Sequence, residues 1–294
     1  MPGQRLAPWV IDLPNDLTVE QGLQLARDRI AWRAAGRPDP ADMDEWSDDD
    51  QIDFYVAGRH TPDTLDLNAL KLRTIPEEIA TQEGLDYLFL MGNRIETIPA
   101  AFAQTFRCLS LHLFGNPLRS VPAALFHMQG LTDLYLGRSA LVDLPHLDRP
   151  AVHLKILGLD RTEWLDIPDG FLRQFPNLRT LLLNTSFRDA IPPDVFALSE
   201  LIQLDFEDNP LEVLPSEISQ LRKLMILNLT NCQLKSLPKS LGSLTVLEEK
   251  ARGGPFGLRI GGNPFKDKEL RRIAKLKNPQ MTIQALEWAR ANGD

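Results

Sequence analysis

The chain is poor in the residues that metal, redox or secreted chemistry requires. Among 294 residues there are two cysteines, Cys108 and Cys232, and five histidines at 60, 112, 127, 146 and 153. None of the histidines pairs with Cys or carboxylates at metal-ligand spacing, so no metal site is expected. The phosphate-cradling G-x-x-x-x-G-K-[ST], the zinc-protease H-E-x-x-H and the protein-kinase signatures are absent. No window approaches 18 uninterrupted apolar residues, which excludes a membrane-spanning helix. The opening MPGQRLAPWVIDLPND has no apolar core of signal-peptide length, so Sec-type export is not expected. A translocated effector with an unpatterned secretion signal would look the same. Basic residues are outnumbered, 32 against 40, giving a net charge of −8. That balance speaks against non-specific nucleic-acid binding, which depends on neutralising phosphates.

What is abundant is a period. Eight prolines stand at 76, 99, 122, 145, 168, 192, 215 and 238, spaced by 23 residues except for one interval of 24. Each follows Leu, Ile or Val. Self-similarity at that length marks a stacked repeat architecture, in which one supersecondary unit is copied along an axis. The aligned blocks are LDLNALKLRTIP from Leu65, LFLMGNRIETIP from Leu88, LHLFGNPLRSVP from Leu111 and LYLGRSALVDLP from Leu134. LGLDRTEWLDIP from Leu157, LLLNTSFRDAIP from Leu181, LDFEDNPLEVLP from Leu204 and LNLTNCQLKSLP from Leu227 follow. An incomplete unit, LRIGGNPF, begins at Leu258 after an eight-residue insertion around positions 248–255.

The consensus L-x-L-x-x-N-x-L-x-x-L-P resembles the leucine-rich repeat family, over roughly residues 62–265. The physics agrees. L-x-L has period two, so a short strand turns its leucines inward and the residue between them outward. Proline, with fixed φ and no N–H, suits the start of the return segment. One unit cannot cover its own apolar face, so stacking is obligatory. The inner turn carries Leu70, Asn93, Asn116, Ser139, Thr162, Ser186, Asn209, Cys232 and Asn263. An amide there both donates and accepts, tying one coil's backbone to the next. Trp164 and Arg188 replace the usual aliphatic residue; Arg188 is expected to point outward with Phe187 taking its place, in a local irregularity at the 24-residue interval. The resemblance implies an α/β solenoid: a curved parallel sheet of about nine short strands with helical N- and C-terminal caps.

Solenoid ends need polar-faced caps. Residues 1–58 carry five basic and twelve acidic side chains, a net of −7, and are assigned to an acidic N-terminal helical cap. In it, 18–35 reads as a helix opened by a Thr18–Gln21 capping box, with Val19, Leu23, Ala26, Ile30 and Ala34 on one face and Gly36 at its end. Residues 52–56 suit a capping strand, and the acidic loop around Trp46 either folds onto the first coil or docks a basic partner. Residues 59–265 form the solenoid and 266–294 a C-terminal helical cap. There, helices are expected at 267–276, with Leu270, Ile273 and Ala274 inward, and at 281–290. Cys108 and Cys232 fall at interior positions five units apart, too far for a disulfide. A reducing cytosol, bacterial or host, is the expected location.

The outward columns of the strands place Tyr87, Phe89, Met91, His112, Phe114 and Tyr135 together in units two to four. Arg138 and Arg161 follow at successive turns, and Asp205, Glu207 and Asp208 make an acidic boundary. Aromatic, Met and Arg side chains in one patch are what protein interface centres are enriched in. Cross-strand packing of the rings on one another is the alternative. On the interface reading, Phe89→Ala with Tyr135→Ala should weaken a complex by ~2 kcal/mol or more without unfolding the solenoid. The functional expectation is a non-enzymatic, cofactor-free module binding another protein or peptide on its concave strand face. The alternative is the targeting region of a bacterial effector of ubiquitin-ligase or kinase type. The ligases of that kind use a C-x-D motif, whereas here the cysteines read Cys-Leu-Ser and Cys-Gln-Leu.

Overall fold

The computed structural model describes residues 17–34, 63–162 and 165–293. The loop around Trp46, the strand expected at 52–56, Gly36 and Trp164 lie outside the described residues. The chain divides into two compact units, Met1–Ala140 and Leu141–Asp294.

In the first unit, strands β1 (Thr64–Asp66), β2 (Tyr87–Phe89), β3 (Ser110–His112) and β4 (Asp133–Tyr135) run parallel in chain order. Leu65 pairs with Leu88, Leu88 with Leu111 and Leu111 with Leu134, so sequence period and strand register coincide. The leucines on either side of each outward residue are buried and form the core. Each return segment starts at the repeat proline. Pro76 and Pro122 lead into the 3₁₀ turns Glu77–Thr81 and Ala123–His127, and Pro99 into α2 (Ala100–Thr105). Their φ values of −58°, −71° and −60° are those the pyrrolidine ring imposes.

Helix α1 (Val19–Ala34) opens with the expected reciprocal pair: Gln21 N donates to Thr18 Oγ1 at 3.2 Å and Thr18 N to Gln21 Oε1 at 2.8 Å. Its buried stripe is Gly22, Leu25, Ala26 and Ile30, not the face through Val19, Leu23 and Ala34. Gly22 sets that rotation, because a Cβ there would lie 1.7 Å from the Leu70 carbonyl oxygen. The helix therefore packs backbone against backbone on the first coil. Arg29 Nη1 donates to the Asp66 carbonyl at 2.7 Å and Arg33 Nη2 to that of Gly84 at 2.9 Å.

In the second unit, β5 (Ile156–Gly158), β6 (Thr180–Leu182), β7 (Gln203–Asp205), β8 (Ile226–Asn228) and β9 (Gly257–Arg259) are again parallel and in chain order. The insertion before β9 forms α3 (Thr245–Gly253). After β9 come α4 (Lys268–Ile273), which buries Leu270 and Ile273, and α5 (Gln280–Asn292); Ala274 is buried just beyond α4. An open strand edge presents unpaired polar groups. Here the Leu258 N–H, on β9, donates to the buried Thr282 hydroxyl of α5 at 2.8 Å.

The irregularity of this unit differs from expectation. Arg188 turns into the interior and donates from Nη2 to the Leu165 carbonyl at 2.7 Å. Phe187 stands 65% exposed. The interior site accepts Arg188 because a carbonyl lies within its reach, although burial lowers the guanidinium pKa against the opposing pull of Asp166. The additional residue of the 24-residue interval lies on the return side, at Asp169–Gly170. There the Gly170 N–H donates to Asp194 Oδ2 at 2.5 Å, and Arg173 Nε donates to Asp194 Oδ1 at 2.6 Å.

Candidate functional site

The inner-turn amides make the strand face rigid. Asn116 Oδ1 accepts from the Ile95 N–H at 3.1 Å, while Nδ2 donates to the Leu90 and Leu113 carbonyls, both at 2.8 Å. Asn93 bonds in the same way to Leu72, Leu67 and Leu90. Each amide thus clamps its own coil to the preceding one, and the side chains between the strand leucines are held in straight columns.

In the first unit the central column is Asp66, Phe89, His112 and Tyr135, in register. The Phe89 and His112 ring centroids are 4.5 Å apart, and those of His112 and Tyr135 4.4 Å at 19°. His112 Nε2 is also 2.8 Å from Ser110 Oγ. The three rings therefore form one continuous ladder, in the offset or tilted geometry that ring quadrupoles favour. They are not the solvent-facing side chains expected from the alternation: Phe89, His112 and Tyr135 are only 2%, 4% and 8% exposed. Register explains part of this, since one strand spacing brings same-column rings face to face and each covers its neighbour. The double truncation of Phe89 and Tyr135 would consequently strike the fold, at about 3–5 kcal/mol for a buried Phe.

What reaches solvent is the border of this ladder. Tyr87 is 37% exposed, Met91 and Phe114 are half-buried, and Arg138 is exposed. Arg138 takes the left-handed conformation, φ +48°, at the turn leaving β4. Arg161 holds the equivalent turn of the second unit, also exposed and at φ +54°. Of the eight residues expected to form a site, the first unit thus gathers seven, three as a wall and four around it, while Arg161 belongs to the second.

On the strand face of the second unit, β7 and β8 and the turns that leave them carry a cluster of polar side chains. Asn228 Nδ2 donates to Glu207 Oε2 at 2.8 Å, and Asn231 Nδ2 to Asp208 Oδ1 at 3.0 Å. Burial pushes the Asp205 carboxyl up to about 6, with the neighbouring Glu207 adding to the rise and the Glu207 N–H and Asn228 opposing it. Asp160 is likewise raised by burial to about 6. Sequence pattern placed Asp205 in the acidic boundary but carried no sign of its half-buried state.

Neither cysteine suits nucleophilic work: burial pushes the Cys108 thiol up to about 12 and that of Cys232 to about 11, where the thiolate is scarce. Among the described residues no group of three His, Cys, Asp or Glu side chains could hold a metal ion. No helix among them is long and apolar enough to cross a membrane.

Comparison with known proteins agrees with this geometry. A leucine rich repeat family profile matches residues 176–234. A stretch of 92 residues is 37% identical to an adenylate cyclase of Podospora anserina, covering 31% of this chain and 4% of the fungal protein. A stretch of 121 residues is 31% identical to lumican of Mus musculus, covering 40% of this chain and 34% of lumican. Among solved structures, a repeat protein of Leptospira interrogans superposes with a TM-score of 0.51 at 29% identity, over 72% of this chain and 58% of that one. The chain thus spans well under two thirds of the curated relatives it matches.

Proposed function

We propose that this leucine-rich repeat chain is a non-enzymatic binding module that takes a protein or peptide partner on the concave strand face of its first unit. The observation that carries the reading is the ring ladder of Phe89, His112 and Tyr135, held in register by the inner-turn amides and bordered by Tyr87, Met91, Phe114 and Arg138. A stacked ladder loses little conformational freedom when something docks beside it, so contacts to its border cost little ordering entropy. In this arrangement the ladder acts as a fixed wall, and Tyr87, Phe114 and Arg138 supply the direct contacts. Arg161 holds the equivalent turn within the second unit. The overall negative charge keeps nucleic acid off the partner list.

A photo-crosslinking residue at Tyr87 or Arg138, with Gln104 on the exposed side of α2 as control, tests this in the native cell. Adducts of one size at the first two positions and none at Gln104 support the assignment. Equal yields at all three positions would remove it. Tyr87→Ala with Phe114→Ala should weaken the captured complex by about 2 kcal/mol while the unfolding midpoint stays within experimental scatter.

A second reading, that these repeats recruit targets for an enzyme on a longer polypeptide, is favoured by the adenylate cyclase match, where the aligned repeats are 4% of that protein. A reading frame extending into a ligase or kinase domain would establish it.

A further inference from the structure

The second unit carries a feature that neither the repeat pattern nor the strand face accounts for. Phe187 follows the inner-turn Ser186 and sits at φ +54°, a region that bulky L-residues almost never occupy. The conformation is enforced from the next coil. Asn209 Oδ1 accepts from both the Ser186 N–H at 3.1 Å and the Arg188 N–H at 3.0 Å, pinning the turn whose middle residue is Phe187. Arg188 then occupies the interior, with its Nε buried and unpaired. In the other described coils the residue after the inner turn faces out and the next is a buried apolar side chain; here those two positions hold phenylalanine and arginine, the reverse of what burial favours. At the matching position of the first coil Lys71 has φ +58°, and there the turn delivers its ammonium to the Leu17 carbonyl. At Phe187 the same turn delivers a ring to solvent. Strain retained without a structural return points to a role outside the fold.

The neighbours of Phe187 give that role a shape. Pro210 adjoins Asn209, whose side chain grips the N–H groups on either side of Phe187, and Val213, on the same coil as Pro210, is 72% exposed. Asp189 lies two residues on from Phe187, Asp208 adjoins Asn209, and Asp166 pulls on the Arg188 guanidinium; all three carboxylates are exposed. We infer that Phe187, Pro210 and Val213 form a second docking surface, which takes a basic segment of a partner protein: a bulky apolar side chain on the patch, lysine or arginine on the three carboxylates. Charge decides the occupant. A second copy of this chain, bringing the same carboxylates to a self-complementary contact, would meet like charge.

Panning phage-displayed random peptides on the full chain tests the inference. Enriched peptides should be cationic with at least one aromatic or large aliphatic residue. Their affinity should fall about tenfold or more, about 1.4 kcal/mol, in Phe187→Asn, a change that keeps the left-handed turn. It should also fall in Asp189→Lys, and it should persist in Tyr87→Ala with Arg138→Ala, which separates this surface from the first unit's. Failure to enrich, neutral or acidic winners, or affinity unchanged in Phe187→Asn would overturn the inference. So would sedimentation showing a wild-type dimer that Phe187→Asn dissolves.

Discussion

Replacing Asn116 by Ala removes three hydrogen bonds from a side chain that is 1% exposed. At a net of ~1 kcal/mol per bond, the direct loss is about 3 kcal/mol. The Ile95 N–H is then left without its acceptor inside the coil, and a buried orphan donor adds up to ~1 kcal/mol beyond the lost bond. Slight inward relaxation of the turn recovers some of this, so the expected cost is about 3–4 kcal/mol. Asn116→Ser restores one short-range partner and should fall between wild type and Asn116→Ala. Urea unfolding followed by circular dichroism reads the midpoint at constant slope, and amide exchange reads the Ile95 N–H directly. A loss below about 1 kcal/mol, or Ile95 protection unchanged in Asn116→Ala, would refute the clamp. Ser186 provides the contrast, since its hydroxyl reaches the Leu159 and Asn184 carbonyls only at 3.4 and 3.2 Å; Ser186→Ala should cost about 0.5–1 kcal/mol.

Asp160 and Asp205, both raised to about 6 by burial, keep protons in the folded state that the unfolded chain releases near pH 4. Their contribution is full below about pH 4, declines as pH rises and levels off above about 6, at most ~3 kcal/mol each before discounting their partial exposure. Asp160→Asn with Asp205→Asn should flatten stability across that window, and an unaltered slope would contradict the assignment. Thr282→Val keeps shape but orphans the Leu258 N–H at the sheet edge, with an expected cost of about 1–3 kcal/mol in thermal or urea unfolding. Phe187→Asn should raise stability by about 0.5–1 kcal/mol, because asparagine tolerates the left-handed turn that phenylalanine resists; a lower midpoint would show that the ring contributes to the fold.

The repeat was legible because one physical requirement writes it in every coil. Leu65, Leu88, Leu111 and Leu134 must meet in register, and a strand that slipped by one residue would turn its leucines to water. The capping box at Thr18 was legible for a similar reason: both partners lie within one turn of chain. The face of α1 was not, because Gly22 has no side chain to mark a contact, and its importance lies in the Leu70 carbonyl it approaches. The candidate site divides along the same line. Alternation put Phe89, His112 and Tyr135 in one column and the column is there, but their burial depends on what rings do to each other at strand spacing.

Phe187 and Arg188 show where local pattern loses to a distant group. Hydrophobicity alone sends the phenylalanine inward. Burying Arg188 costs desolvation of a cation, and that cost is met in part by the Leu165 carbonyl, while Asn209 holds the N–H groups of Ser186 and Arg188 on one oxygen. Both partners sit more than twenty residues away in the chain, beyond any window that a periodicity can sample. A reading of amphipathic pattern is therefore strongest where each coil repeats its neighbour and weakest where one coil reaches across to repair another. In this chain that weak point is also where the most exposed aromatic ring among the described residues emerges.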